Sequence, residues 1–284
     1  MITADMTVAQ ALAAARKRLA SSPTADLDAR VLLEVVTGED RAALIAKDGE
    51  PIGDHAAAYE AAIARREEGE PVAYITERQE FFGLSFVVGH GVLIPRPESE
   101  MLVEAAIAAA PRRVLDLGTG SGCLLIASLD ALPEAQGAGI DASGEAIAIA
   151  FENSETLIRD ERAQWFHARF DEAAQLFEGE TFDVILANPP YIADGTELPP
   201  SVVNFEPATA LFSGSDGLTA HRDVAAVIRE LLSPGGSAYI EIGSDQGAQA
   251  RELYRAALAD RDVALQQDAA GLDRMVAITP RPGL

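Results

Sequence analysis

The residues with most chemistry to offer are Asn188-Pro189-Pro190-Tyr191, which follow the apolar run Phe182-Asp-Val-Ile-Leu-Ala187 without a spacer. A run of this kind reads as a buried strand, so the tetrad falls at the carboxyl edge, where open α/β sheets bind ligands. The prolines fix φ and remove two N–H donors. They leave a stiff segment whose backbone carbonyls face outward as acceptors, with Asn188 supplying a side-chain oxygen. Two acceptors held in one plane suit an N–H2 group conjugated to a carbonyl or a ring, since each takes one hydrogen. Aligning both hydrogens away from an incoming electrophile concentrates electron density on the nitrogen, so positioning replaces a strong base. Tyr191 can stack on the planar group. The alternative, a rigid turn or polyproline ligand, fits poorly with the strand that precedes the tetrad.

A second constellation lies upstream. Val114-Leu-Asp-Leu117 runs into Gly118-Thr119-Gly120-Ser121-Gly122 and then into a helical stretch, placing glycines at alternate positions of a strand-to-helix turn. Glycine accepts positive φ and leaves no Cβ between backbone and ligand, while the helix offers free N–H groups. The G-x-G-x-G spacing departs from the dinucleotide pattern G-x-G-x-x-G. Further on, Gly137-Ala-Gly-Ile140 ends in Asp141, placed to accept hydrogen bonds from a ribose diol. A ligand-free βα turn and a helix N-cap are the plainer readings of the two features. Together they favour a bound nucleoside.

These loops need a sheet to hold them. From Arg112 onward short apolar runs alternate with helical segments, the signature of a parallel sheet covered on both faces. The pattern predicts strands at 113–117, 137–141, 163–168, 182–187, 237–242, 262–267 and 274–279, the last two an antiparallel edge pair. Helices are predicted at 121–131, 143–157, 219–232 and 245–259. Residues 1 to about 75 have helical periodicity only, with a capping box at Thr7 and Gln10 and helices to about Ala20, over 26–36 and over 56–68. Between the halves, Glu80 to Ile94 is rich in aromatic and branched residues punctuated by glycine and reads as a β-hairpin. Pro97-Glu98-Ser99-Glu100 opens a helix through about Ala110.

Composition excludes several classes. Lys and Arg number 22 against 45 Asp and Glu, a net charge of −23 that repels nucleic-acid phosphates and anionic membrane surfaces. No apolar run approaches the ~18 residues that span a bilayer, and no export signal is evident. Cys123 is the only cysteine, and His55, His90, His167 and His221 form no ligand-spaced pair, so no metal is expected.

The two motifs, with Pro71-Val-Ala-Tyr-Ile-Thr76, Gln79-Glu-Phe-Phe-Gly-Leu-Ser-Phe86, Val92-Leu-Ile-Pro-Arg-Pro-Glu98, Phe205-Glu-Pro207, Ala210-Leu211, Gly214-Ser-Asp-Gly217, Glu241-Ile-Gly-Ser-Asp-Gln-Gly247 and Gly271-Leu-Asp-Arg-Met-Val276, resemble the HemK/PrmC family. The glycine loop is similar to motif I of class I S-adenosylmethionine methyltransferases, in which Asp116 helps to hold the loop. The resemblance implies an α/β fold with a seven-stranded, mostly parallel Rossmann-like sheet and a small all-helical N-terminal domain. It divides the chain at 1–76 for substrate recognition, 77–95 for the hairpin linker and 96–284 for the methyltransferase domain. The implied reaction moves a methyl group from S-adenosylmethionine to N5 of the glutamine in the Gly-Gly-Gln motif of peptide chain release factors. The alternatives are an adenine-N6 nucleic-acid or a ribosomal-protein glutamine methyltransferase. Asn188, Pro189, Pro190 and Tyr191 become the catalytic group; Gly118, Thr119, Gly120, Ser121, Gly122, Asp141 and Asn188 hold the cofactor. The family's Asp-Trp pair near the adenine is replaced by Ala168-Arg169, so Arg169 or Phe170 is expected to cover the ring. Glu77 stands where the family has glycine, and Arg96 and Glu98 are expected to support the substrate loop or to form an ion pair between domains. A cytoplasmic monomer that binds neither nucleic acid nor membrane is expected.

Overall fold

A computed structural model describes residues 1–159 and 161–281. It divides into two compact units, one of Met1–Arg78 with Pro199–Phe205 and one of Gln79–Leu198 with Glu206–Leu284.

In the first unit the helical periodicity produces α1 (Val8–Arg18), α2 (Ala25–Thr37), α3 (Arg41–Ala46), α4 (Ala56–Glu67) and α5 (Val72–Thr76). The capping box forms: Thr7 Oγ1 accepts from the Gln10 amide at 3.2 Å and the Gln10 side chain accepts from the Thr7 amide at 3.0 Å. One face of each long helix buries Ala11, Ala15, Leu32, Leu33, Tyr59 and Ile63 in a common core, and Tyr59 donates its hydroxyl to the Ala29 carbonyl at 2.8 Å. Buried Asp28 is satisfied by Arg66 Nε at 2.7 Å and by Ser22 and Thr24 at 2.8 Å each. The sequence reading missed α3 and α5, which at six and five residues are too short to show a period. Glu77 caps α5 with φ 56°, a left-handed conformation that glycine adopts without the clash a Cβ brings.

The second unit begins at Gln79, within β1 (Arg78–Phe81), which forms a hairpin with β2 (Leu84–Val87). Its two-residue turn has φ 50° at Phe82 and 76° at Gly83, the positive pair a type I′ hairpin demands, and the Phe82 amide donates to Glu100 Oε1 at 2.9 Å. The chain continues through α6 (Glu100–Ala109), β3 (Arg113–Leu117), α7 (Cys123–Ala131), β4 (Gln136–Asp141), α8 (Gly144–Leu157), β5 (Ala163–His167), α9 (Ala173–Leu176) and β6 (Phe182–Ala187). After α10 (Pro200–Val203), which clusters with the first unit, come α11 (Thr219–Leu231), β7 (Leu232–Glu241), α12 (Gly247–Ala257), β8 (Arg261–Gln267) and β9 (Asp273–Pro280). The expected strand-rich stretch to Ile94 stops at Val87, and Gly91, beyond it, lies so close to α8 that an added Cβ would sit 2.4 Å from the Glu145 side chain.

The sheet is seven-stranded, in the order β5-β4-β3-β6-β7-β9-β8. Strands β3 to β7 run parallel, and β9 is antiparallel to both its neighbours. Alternate residues feed two cores: Leu115, Leu117, Ile185 and Ile240 pack with residues of α11 and α12, while Val114, Val184 and Leu186 pack with residues of α6 and α7. Burial on both faces is why β3 and β6 read as largely apolar runs, interrupted after their first residues only by Asp116 in β3 and Asp183 in β6. Strand β7 starts at Leu232 rather than 237, through Pro234-Gly235-Gly236 and a register shift between Phe182 and Val184. Among the described residues no helix is long and apolar enough to cross a membrane.

Candidate active site

Register alone lines up the site. The pairs Asp141↔His167, Leu117↔Ile140, Leu117↔Ala187 and Ala187↔Ile240 put His167, Asp141, Gly118, Asn188 and Glu241 in one row along the carboxyl edge of the sheet. The chain leaves β3 outward through β4 and β5 and returns to β6 on the other side. The carboxyl ends of β3 and β6 are therefore the switch point, where open α/β sheets form their ligand crevice.

The glycine loop is shaped by its left-handed residues, with φ 72° at Gly118, 54° at Gly120 and 80° at Gly122. The Gly118 and Thr119 amides donate to the Ile140 carbonyl at 2.9 and 3.0 Å, which turns the loop over β4. Thr119 Oγ1 donates to Asp116 Oδ2 at 2.5 Å, and Asp141 Oδ2 accepts from the Gly120 amide at 2.9 Å. Asp141 Oδ1 accepts from the Ser143 amide at 2.8 Å, so this carboxylate ties loop to helix while keeping lone pairs free. Burial raises the pKa of Asp141, and the Ser143 and Gly120 amides pull it back. Asp116 is fully buried, Oδ1 has no hydrogen-bond partner, and desolvation pushes its pKa up to about 7 against the Thr119 hydroxyl. Ser121 is buried, and its carbonyl accepts from Asn153 Nδ2 at 2.9 Å.

Of the two side chains expected over an adenine ring, only Phe170 lies against the loop. Its ring edge would be 3.4 Å from a Cβ built on Gly118. Arg169 is 71% exposed and paired with Asp171 at 3.1 Å, which draws it away from that task. A Cβ on Gly120, by contrast, would meet nothing within 4 Å, so this part of the loop is open to a ligand. Two features thus fit a nucleoside: the turned glycines and the acid at the end of β4.

Asn188 Nδ2 donates to Ser99 Oγ at 3.2 Å, and Ser99 Oγ donates to Glu241 Oε2 at 2.5 Å. Among the described residues no group donates to Asn188 Oδ1 or to the Pro189 carbonyl, which leaves both as acceptors. Glu241 is 1% exposed, and burial pushes its pKa up to about 7 while the Ser99 hydroxyl opposes the rise. The Tyr191 hydroxyl lies 3.5 Å from Glu241 Oε1, and burial raises the phenol's pKa. Its carbonyl accepts from Gln246 Nε2 at 2.8 Å, and Gly217, at φ 70°, passes so near that a Cβ would lie 2.4 Å from that same oxygen. Glu206 is buried and accepts from the Ile94 amide at 3.2 Å and from Arg96 Nη2 at 2.5 Å. The ion pair of Arg96 therefore lies within the second unit, and Glu98 is exposed. Among the described residues no three His, Cys, Asp or Glu side chains gather where they could hold a metal ion.

Residues 10–76 match the family model of the PrmC N-terminal domain, and residues 97–205 that of the methyltransferase small domain. A release factor glutamine methyltransferase of Caulobacter vibrioides is 37% identical over 286 residues, covering 98% of this chain and 98% of its own. The chain belongs to the release factor glutamine methyltransferase family. A second member, from Burkholderia pseudomallei, is 41% identical over 271 residues, 92% of this chain and 94% of the relative. Among solved structures, a chain provisionally named a SAM-dependent methyltransferase, from Streptococcus mutans, aligns with TM-score 0.51 at 16% identity, covering 72% of this chain and 56% of that one. That likeness is one of fold.

For this family of methyltransferases, the sequence reading located the tetrad and the glycine loop but gave no role to Ser99, Glu241, Gln246 or Gly217. Glu241 and Gln246 stood inside a matched motif, and Ser99 was read only as part of a helix start. Glu241 carried one usable signal, an acid closing an apolar strand that runs beside β6.

Proposed function

We propose that the chain transfers a methyl group from S-adenosylmethionine to N5 of the glutamine in the Gly-Gly-Gln motif of peptide chain release factors. The observation that carries this reading is the juxtaposition, on adjacent strand ends, of the turned glycine loop at Gly118 and the two free acceptors of Asn188 and Pro189. The cofactor supplies an electrophilic methyl group on a cationic sulfur. Gly118 to Gly122 cradle it, Asp141 accepts from its ribose hydroxyls, and Phe170 covers the loop on the adenine side. Asn188 Oδ1 and the Pro189 carbonyl each accept one hydrogen of the glutamine amide. This fixes the amide plane and aims the nitrogen's electron density at the methyl group, with Tyr191 stacked on the plane and Pro190 stiffening the turn.

The helical part, residues 1–76, serves substrate recognition, residues 77–95 link it, and residues 96–284 carry the chemistry. The enzyme works as a cytoplasmic monomer, and its net charge of −23 disfavours nucleic acid as substrate. The test offers the protein labelled S-adenosylmethionine with a release factor, a ribosomal protein and DNA in separate reactions. Label on the release factor alone is expected; label on DNA or on the ribosomal protein instead would overturn the assignment.

A further inference from the structure

A primary amide can sit either way round, with oxygen and nitrogen exchanged, and only its hydrogen bonds decide which end faces a ligand. For Asn188 the deciding contacts come from outside the tetrad. Ser99, 2% exposed, has one hydroxyl proton. In the structure the Ser99 hydroxyl donates to Glu241 Oε2 at 2.5 Å, and because an ionised carboxylate only accepts, the proton of Ser99 is committed to Glu241 once the pH exceeds that acid's raised pKa of about 7. The hydroxyl oxygen then has only lone pairs for Asn188, 3.2 Å away, and must receive Nδ2 rather than Oδ1. The opposite orientation would set two acceptors against each other in a buried site, where an unmade hydrogen bond costs most.

We propose that Ser99 and Glu241 are positioning residues that set the polarity of the Asn188 amide, and through it make the site choose an amide N–H2 over a carboxylate. The choice matters because the deamidated form of the substrate, glutamate in place of glutamine, has nearly the same shape and differs mainly in offering an acceptor where the amide offers a donor. With Nδ2 tied to Ser99, Asn188 presents only an oxygen, which attracts the amide and repels the carboxylate. With the tie cut, Asn188 can turn and present a donor to the carboxylate. This role rests on the reading that Asn188 holds a glutamine side chain.

The elements involved are far apart in sequence and close in space. Ser99 belongs to the 3-10 turn of Pro97–Ser99 that leads into α6, Glu241 closes β7, and Asn188 follows β6, which pairs with β7. The three side chains span the strand ends as a single chain of hydrogen bonds running from the interior outward, with Tyr191 on the other oxygen of the carboxylate.

The test measures kcat/KM for a release factor and the inhibition constant of its Gln→Glu form, together with cofactor affinity and melting temperature, for the wild type, Ser99→Ala, Ser99→Thr and Glu241→Ala. In Ser99→Ala the preference for glutamine over glutamate is expected to fall about ten- to a hundredfold, the worth of one lost buried hydrogen bond to a polar ligand. Ser99→Thr, which keeps the hydroxyl, should restore the preference to within about threefold, well inside that loss. Cofactor affinity should stay unchanged in both. Glu241→Ala frees the hydroxyl proton of Ser99 to turn toward Asn188 and should lose the preference as Ser99→Ala does. A preference unmoved in Ser99→Ala, or a loss that cofactor affinity follows in parallel, would overturn the role. A wild-type enzyme that itself shows no preference for the glutamine form would instead overturn the substrate reading, so the two failures are distinguishable.

Discussion

Asn188 contributes an oxygen on one side and a tethered nitrogen on the other, and its removal should cost both the seat for the substrate and part of the wall between the two ligands. Asn188→Ala is expected to lower kcat about a hundredfold, the usual effect of deleting one preorganised polar group at a reacting centre, and to weaken cofactor binding only slightly. Steady-state kinetics with isothermal titration of the cofactor would show it. Asp116 offers a different readout. Its pKa is raised to about 7 by burial, so the native state holds this proton more tightly than the unfolded chain does. That stabilising contribution is complete below the ordinary carboxylate value near 3.8 and is lost as pH rises through about 7. Asp116→Asn removes the titration. The difference in melting temperature, mutant minus wild type, should therefore increase between these pH values by several degrees, given that ~1 kcal/mol moves a domain of this size by about 2–4 °C. A flat difference would mean that Asp116 does not titrate in this range. At this scale the sequence made the tetrad and loop legible because each is contiguous. Ser99 and Glu241 escaped because 142 residues separate them, and no local pattern announces a hydrogen bond across that distance.

Strands β3 and β6 were legible because burial on both faces leaves them apolar except at Arg113, Asp116 and Asp183, and α8 and α11 because their lengths show a full period. The elements that were not legible failed for equally physical reasons. Helices α3 and α5 are shorter than two turns, and the first residues of β7 include Pro234-Gly235-Gly236, which reads as a break until the paired β6 is known. The C-cap of α5 supplies a test. Glu77 holds φ 56° with a Cβ that glycine would lack, so Glu77→Gly should stabilise the protein by about 0.5–1 kcal/mol, visible in urea unfolding, despite the greater freedom of glycine in the unfolded chain. A loss of stability would show that the left-handed turn is not strained. Gly217 tests the substrate loop in the opposite sense. A Cβ there would press on the Tyr191 carbonyl from 2.4 Å and displace the Gln246 bond to it, while φ 70° already disfavours alanine. Gly217→Ala should reduce kcat about tenfold or more through a misplaced Tyr191, in keeping with the sensitivity of reaction rates to small displacements, and should lower the melting temperature as well, since the strain falls on backbone.

At the scale of the whole molecule, two compact units divide the chain unequally, and the larger contains both proposed ligand seats. The charge balance of 22 basic against 45 acidic residues leaves little long-range attraction for nucleic acid, so selectivity for a protein must reside in contacts rather than in the overall field. The family relationship spans nearly the full length of the chain, which places the helical unit and the methyltransferase unit under one heading. The most direct measurement is peptide mass spectrometry of a release factor after reaction with the wild-type enzyme and S-adenosylmethionine. A single methyl group on the side-chain nitrogen of the Gly-Gly-Gln glutamine is expected, and no methylation of the same factor with that glutamine replaced by glutamate. Methyl groups at another residue, or equal incorporation into the glutamate form, would contradict a site built around Asn188 and Pro189 to seat an amide.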